Sequence, residues 1–130
     1  MKEETLKNFF AGISDEQHLV AELNNSIAKS RKQSQYRIED MTGEFAVTSV
    51  HIIKVCNAAL KGTLQHEHLT TIGFCLEASD TFEWDSDTED GKRVADVVFY
   101  LSSPEINYEL NELNIAKFIE ILEHGGTPFE

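Results

Sequence analysis

The sequence predicts an all-α domain of five to six helices joined by short loops, and three observations support this fold class. Apolar residues recur at the i, i+3, i+4, i+7 spacing of an amphipathic helix in several separate segments. Only two prolines and seven glycines interrupt the 130 residues. The length suits one ordinary domain and can bury a core without disulfides or a metal. We therefore expect a single bundle-like domain over residues 1–130.

Two helices are predicted in the N-terminal part of the chain. Residues 2–13 carry an apolar stripe of Leu6, Phe9, Phe10 and Ile13. Ser14 then begins a capping-box pattern in which Gln17 can reach back to the cap, so a second helix is expected from there. The inward face of that helix consists of Val20, Leu23 and Ile27. Residues 33–44 are polar and mixed, which is typical of a loop.

The next two segments are apolar on most sides, which predicts central helices. Residues 49–61 share a face formed by Val50, Ile53, Cys56 and Leu60, widened by Ile52, Val55 and Ala59. Gly62 directly after this segment is typical of a helix end. Residues 65–79 repeat the pattern with Leu69, Ile72, Gly73 and Leu76, and deep burial is also expected for Phe74 and Cys75.

The C-terminal part contains one ambiguous element and one clear helix. Residues 94–101 have the helical stripe Val94, Val97, Val98 and Leu101, although residues 97–101 would also suit a buried strand. We favour the helix because no second strand of equal quality is available for pairing. Ser103-Pro104 ends this element. A last helix is expected over residues 111–124, ended by Gly125-Gly126, with an inward face of Ile115, Phe118, Ile119 and Leu122.

The charge is strongly negative and uneven along the chain. Eleven basic and twenty-three acidic residues give a net charge of −12. Residues 1–37 carry six Lys/Arg and five Asp/Glu, whereas residues 38–130 carry five Lys/Arg and eighteen Asp/Glu. Most of this surface would repel a phosphate backbone, which disfavours nucleic-acid binding and permits a basic protein as partner.

The chain is expected to be soluble and cytoplasmic, with no membrane association. Acids stand at positions 3 and 4, where a signal peptide would have a basic and then an apolar stretch. No apolar run approaches the length of a membrane span. Cys56 and Cys75 lie in apolar runs and form no C-x-x-C pair, so we interpret both as small buried side chains in a reducing compartment.

The densest signal is acidic. Residues 77–90 hold seven carboxylates and no base, namely Glu77, Asp80, Glu83, Asp85, Asp87, Glu89 and Asp90. The spacing from Asp85 is similar to that of an EF-hand loop, but the glycine required at position six falls one residue late, at Gly91. We therefore expect a solvated loop without a cofactor or metal, whose last two acids favour the positive end of the next helix.

Two aromatic residues, Phe82 and Trp84, interrupt the acidic stretch. An exposed aromatic side chain among carboxylates is a good anchor for a basic protein, because the ring supplies buried area and the acids steer association. Both rings could instead cover the end of the bundle; this interpretation is preferred for Phe82, whereas Trp84 is evenly balanced. The candidate partner-binding residues are Phe82, Glu83, Trp84, Asp85, Asp87, Glu89 and Asp90.

Other motifs do not point to catalysis. Gln65-His66-Glu67-His68 has Thr70 where a zincin helix needs a second histidine, and we interpret both imidazoles as exposed at a helix start. His18, His51 and His124 are isolated, and no nucleophile elbow, P-loop or dinucleotide fingerprint occurs. The one basic run is interpreted as a solvated helix end, with a contact to the acidic loop as the alternative; it consists of Lys29, Arg31, Lys32 and Arg37.

In size, net charge and the aromatic-containing acidic segment of residues 80–90, the chain resembles the small, acidic, all-helical immunity proteins that bacteria make against their own nuclease toxins. The resemblance covers no alignable motif, so no residue role is carried over. It implies a protein that caps a basic partner with a carboxylate-rich face.

Three function classes follow. A protein-binding module for a basic partner ranks first, and an immunity or inhibitor-like protein is one form of it. A structural or oligomer-forming helical domain without catalytic activity ranks second, and a small carboxylate- or metal-dependent enzyme ranks third. The sequence leaves the partner and the oligomeric state open.

Overall fold

A computed structural model describes residues 3–33, with only the backbone from residue 26 onward, and residues 43–126. Over these ranges the protein is mainly helical, which confirms the predicted fold class. The helices are α1 (Glu3–Phe10), α2 (Glu16–Gln33), α3 (Ser49–Leu60), α4 (His66–Ala78), α5 (Glu89–Ser102) and α6 (Glu112–His124). Two short strands, β1 (Phe45–Ala46) and β2 (Phe82–Glu83), and a 3-10 turn at Pro104–Ile106 complete the described elements.

Helix α5 lies at the centre of the packing. It contacts α4 most extensively and also packs on α3 and α6, while α3 packs on α6. Helices α1 and α2 pack on each other, and α2 reaches the rest of the bundle through α4. The buried side chains of all six helices form one hydrophobic cluster. Among the described residues, no helix is long and apolar enough to cross a bilayer.

The ambiguous segment 94–101 is helical, as predicted. Its four stripe residues, Val94, Val97, Val98 and Leu101, are fully buried in α5. The helix begins with Thr88 as N-cap, whose side chain accepts a hydrogen bond from the backbone N–H of Gly91. Glu89 and Asp90 occupy the first turn, where negative charge opposes the positive end of the helix dipole. Local capping and a continuous stripe therefore outweigh the strand preference of the valines.

The first two helices depart from the prediction in their connection. Ile13 is 73% exposed rather than inward, because α1 ends at Phe10 and the chain turns at Gly12, which has a φ of +76°. The predicted cap at Ser14 is also wrong. Helix α2 begins one residue later, and Asp15 caps it through a 2.9 Å hydrogen bond from the backbone N–H of His18 to Asp15 Oδ1.

In α3 the buried face differs from the predicted one, whereas the predicted stripe of α4, with Gly73 included, is buried and only Phe74 departs from the prediction. Val50 is 70% exposed, and Leu60 and Phe74 lie at the surface. The inward residues are Ile52, Val55, Cys56 and Ala59 in α3, and Leu69, Ile72, Cys75 and Leu76 in α4. Val50 and Phe74 each stand two residues, about 200°, from a buried isoleucine, which places them on the opposite face. When a helix is apolar on most sides, its packing against neighbouring helices determines which face is buried.

Both cysteines are buried, as predicted. Burial raises the pKa of the Cys56 thiol to about 12, so it stays protonated and unreactive near neutral pH. The helix ends at Gly62 and Gly125 are likewise confirmed, since both glycines have positive φ directly after a helix. The predicted loop at residues 33–44 lies outside the described residues except at its ends, and α2 extends to Gln33. Arg37 and the side chains of Lys29, Arg31 and Lys32 also lie outside them.

The sequence did not predict the strand pair. β1 and β2 are parallel, with Phe45 opposite Phe82 and Ala46 opposite Glu83. The rings of Phe45, Phe82 and Phe10 approach one another with centroid separations of 5.9–6.0 Å. His51 joins this ring cluster from α3, at 5.2 Å from Phe10 and 5.1 Å from Phe45. The ring cluster thereby holds α1, both strands and α3 together.

The close approach of α4 to α5 requires a glycine at position 73. A Cβ there would lie 2.7 Å from the backbone nitrogen of Ser102 and 3.1 Å from the carbonyl carbon of Leu101.

We expect Gly73→Ala to lower the free energy of unfolding by about 1–3 kcal/mol, because overpacking exceeds the ~1 kcal/mol that alanine gains in helix propensity. Urea unfolding followed by circular dichroism measures the change. Glu77→Ala, on the exposed side of α4, is the control, and a stabilised Gly73→Ala would contradict the close approach.

Candidate functional site

The acidic segment of residues 77–90 runs from the last turn of α4, through β2, into the first turn of α5. Its carboxylates are at the surface, as the solvated interpretation predicts: Glu77, Asp80, Glu83, Asp85, Asp87 and Glu89 are all exposed, and Asp90 is partly buried. Among described ion pairs, the segment contributes only Glu89 with Arg93, at 3.7 Å. An exposed pair of this kind stabilises little. Within the part of the chain that the structure describes, the segment therefore presents a negative surface with little compensation by basic side chains.

The two aromatic residues of the segment have different environments. Phe82 is 4% exposed, and its ring lies in the ring cluster, so it anchors the segment to the core. Trp84 is half-buried and packs one side against the core. Its remaining surface borders a shallow pocket of about 250 Å³ that Ala46, Glu83 and Asp85 also line. Of the two rings, Trp84 is the one with accessible area beside carboxylates.

Strand pairing adds residues from β1 to this surface. The ladder uses the backbone of Phe45 and Val47, whose N–H groups donate to the carbonyls of Thr81 and Glu83 at 2.9 and 2.8 Å. Because alternate residues of a strand face opposite edges, the N–H and C=O of Ala46 point away from β2. None of the described residues pairs with this edge, so exposed Ala46 leaves the backbone of β1 open at the pocket. This part of the site was missed by sequence reasoning, since a two-residue strand carries no periodic signal.

The hydrogen bonds of the turn at residues 85–88 stabilise the start of α5. Asp85 Oδ1 accepts a hydrogen bond from the backbone N–H of Asp87, and the carbonyl of Asp85 accepts from the N–H and hydroxyl of Thr88. A Cβ at Gly91 would lie 1.7 Å from the Asp85 carbonyl oxygen, so glycine is required for this approach. In the described part of the chain, no three His, Cys, Asp or Glu residues are placed to hold a metal ion. The glycine that is out of register for an EF-hand therefore has a packing role.

Asp90 connects the acidic segment to α3. Its two carboxylate oxygens accept hydrogen bonds from the backbone N–H and the hydroxyl of Ser49, at 3.1 and 2.5 Å. Ser49 is the first residue of α3, so the carboxylate satisfies a helix N-terminal N–H and lies at the positive end of the dipole. Asp90 therefore stabilises the junction of α3 and α5, while its neighbours remain free to face solvent.

The histidine pair differs from the prediction. His66 is exposed as expected, but His68 is only 2% exposed. Its Nδ1 accepts a hydrogen bond from the backbone N–H of Gln65, and its Nε2 contacts Asn24 of α2. The two imidazoles therefore lie in different environments, and His68 is a structural contact between α4 and α2.

A second acidic region surrounds the start of α4. Two adjoining cavities of about 450 and 400 Å³ share His66 and Glu67 in their linings. The other carboxylates that line them are Glu105, Glu109 and Glu112. Sequence reasoning missed this region because its acids come from separate segments. The described residues that line it include no phenylalanine, tyrosine or tryptophan, in contrast to the surface around Trp84.

The structural role of Asp90, which the exposed acids do not share, can be tested by measuring the stability of variants. We expect Asp90→Ala to lower the free energy of unfolding by about 1–3 kcal/mol, because it removes two hydrogen bonds to a charged acceptor at the start of α3. Asp87→Ala removes an exposed carboxylate that makes no such bond and should change stability by less than ~0.5 kcal/mol. Chemical denaturation of both variants provides the comparison. Equal stability of the two would show that the Ser49 contact contributes nothing.

No protein-family model, no curated protein and no solved structure matches the chain.

Proposed function

We propose that this protein is a binding module that holds a basic protein partner through the surface around Trp84. The single observation that carries the proposal is the half-buried indole bordering a pocket whose other walls are Glu83, Asp85 and Ala46. We call these four residues, together with the open edge of β1, the Trp84 surface. An immunity or inhibitor-like role in the cytoplasm would be one form of this function.

The Trp84 surface has the chemistry to accept a lysine or arginine side chain. A cation over an indole face gains attraction from the ring quadrupole, and a neighbouring carboxylate adds a charge-assisted hydrogen bond. Glu83 and Asp85 flank the ring on both sides in sequence and are exposed. Because Trp84 is already packed against the core on one side, little freedom is lost when a partner covers the other.

The wider charge favours association with the same class of partner. The net charge of −12 and the exposed acids of residues 77–89 create a field that accelerates encounter with a basic protein. The open edge of β1 offers unpaired backbone groups to an extended segment of that partner. Charge would thus govern the association rate, while Trp84 and the strand edge would govern the dissociation rate of the complex.

The alternative of a structural or oligomer-forming module has weaker support. Among the described residues, the most exposed large apolar side chains lie on separate elements, and they are Ile13, Val50, Ile106 and Leu113. Isolated apolar side chains are normal on a monomer and do not by themselves define an interface. An enzyme has no particular observation in its favour.

We expect a basic protein from the native host to bind the immobilised wild-type protein at low salt and to elute when the salt is raised. With that partner purified, Trp84→Ala should weaken binding by about 2 kcal/mol or more, roughly thirtyfold in Kd, because the indole is the buried anchor. Isothermal titration calorimetry measures the affinity. Circular dichroism verifies that each variant remains folded.

Charge-reversal variants test the location of the surface. Asp85→Lys and Glu109→Lys change the net charge by the same amount, but Glu109 lines the second acidic region. Asp85→Lys should weaken binding much more than Glu109→Lys. Equal losses would indicate a general charge effect, and full affinity of a Trp84→Ala, Asp85→Lys double variant would exclude the Trp84 surface. If no basic protein binds the wild type, the proposed function is wrong.

A further inference from the structure

Three successive helices carry a histidine at the third helical position. The residues are His18 in α2, His51 in α3 and His68 in α4, following the N-cap residues Asp15, Thr48 and Gln65. This position is where a glutamate or glutamine returns to the N-cap N–H in a capping box. Two of the three histidines perform that task here, and the exposed ring of His18 makes no such bond within the described residues.

His51 caps α3 with its imidazole. Its Nδ1 accepts a hydrogen bond from the backbone N–H of Thr48 at 3.0 Å, and the Thr48 hydroxyl lies 3.3 Å from the same nitrogen. The half-buried ring packs against Phe10 and Phe45. Since a backbone N–H can only donate, Nδ1 must carry a lone pair, and the neutral imidazole is the form that caps.

His68 caps α4 in the same way and is more deeply buried. Its Nδ1 accepts from the backbone N–H of Gln65 at 2.9 Å, and its Nε2 lies 2.6 Å from Oδ1 of Asn24. Because Nδ1 serves as an acceptor, the single ring hydrogen is on Nε2 and is donated to Asn24. Both nitrogens are satisfied in the neutral ring, which ties the start of α4 to α2.

We propose that His51 and His68 form a pair of acid-sensitive helix caps, in which protonation of Nδ1 removes the acceptor of the N-cap N–H and destabilises α3 and α4 together. A protonated ring turns a second donor toward a backbone donor and brings positive charge to the positive end of a helix dipole. Acid therefore acts on two neighbouring helices by one chemical change. This inference does not depend on the proposed partner.

The groups around His51 and His68 determine whether acid stabilises or destabilises the fold. Burial lowers the pKa of His51 below the ordinary 6.5; Lys54 lowers it further, and Asp90 opposes the shift. Burial also lowers the pKa of His68, with Glu67 opposing. The unfolded chain thus binds protons near pH 6.5 that the folded protein takes up only at lower pH. The stabilising contribution is complete above about pH 6.5 and is lost as the pH falls from there toward the folded pKa.

The test measures the unfolding equilibrium in urea between pH 7.5 and 5.5, above the sequence pI of about 4.7. The unfolding constant should rise on acidification by up to about tenfold per histidine, and so about a hundredfold for both, in the limit that both rings stay neutral in the fold. Far-UV circular dichroism reports on the helices. The fluorescence of Trp84, the only tryptophan, reports on the strand region.

Glutamine variants separate the caps from other titrating groups. Glutamine at the third helical position can accept the same N–H but does not titrate. His51→Gln and His68→Gln should each remove about half of the pH dependence. His18→Gln, at the same position in α2 but without the cap bond, is the matched control and should leave the dependence that arises from the two caps in place. A wild-type unfolding constant that is independent of pH, or a double variant with the wild-type dependence, would overturn the proposal.

A measurement on the wild-type protein keeps the test decisive if a variant fails to fold. The ring protons of the histidines are followed by NMR from pH 8 to 5. His51 and His68 should titrate with a pKa below the ordinary histidine value of 6.5. Titration of both rings at or above that value would contradict the paired caps.

Discussion

Burial of one phenylalanine holds the acidic segment in place. Seven carboxylates within residues 77–90 would favour a fully solvated loop, and the ring of Phe82 opposes this by lying in the core at 4% exposure. Its contacts with Phe10 and Phe45 bring β2 against β1. The next residue but one, Trp84, is thereby held at the surface with one side supported. The exposed acids are presented on a fixed frame because a single apolar side chain among them is buried.

Distant or unusual groups satisfy the backbone at helix starts in this fold. The first N–H of α3 donates to Asp90, forty-one positions later in the chain. The N-cap N–H groups of α3 and α4 donate to imidazole nitrogens. Each of these bonds satisfies a donor that a helix leaves unpaired, so the helices depend on their neighbours or on the protonation state of a side chain. The start of α3 combines both, since Asp90 and His51 act within one turn of it.

The two acidic regions of the molecule differ in what they could recognise. Around Trp84 the carboxylates flank an aromatic ring and an open strand edge, which suits a protein side chain and backbone. Around His66 and Glu67 they line larger cavities whose described lining includes no phenylalanine, tyrosine or tryptophan. Under the proposed function, net charge would steer a basic protein to both regions, whereas aromatic contact could select a partner only at the first. The association rate and the choice of partner would then have separate physical origins.

Local sequence patterns were enough to predict the approximate positions of the helices, the buried stripe of α5, the helix ends at Gly62 and Gly125, and the burial of both cysteines. These features depend on periodicity, capping and hydropathy, which are local along the chain. The buried face of α3, by contrast, depends on the neighbouring helices, because this helix is apolar on most sides. Only the tertiary structure decided the strand pair, the burial of His68 and the contact of Asp90 with Ser49. These depend on contacts between residues far apart in sequence, for which a local pattern carries no signal.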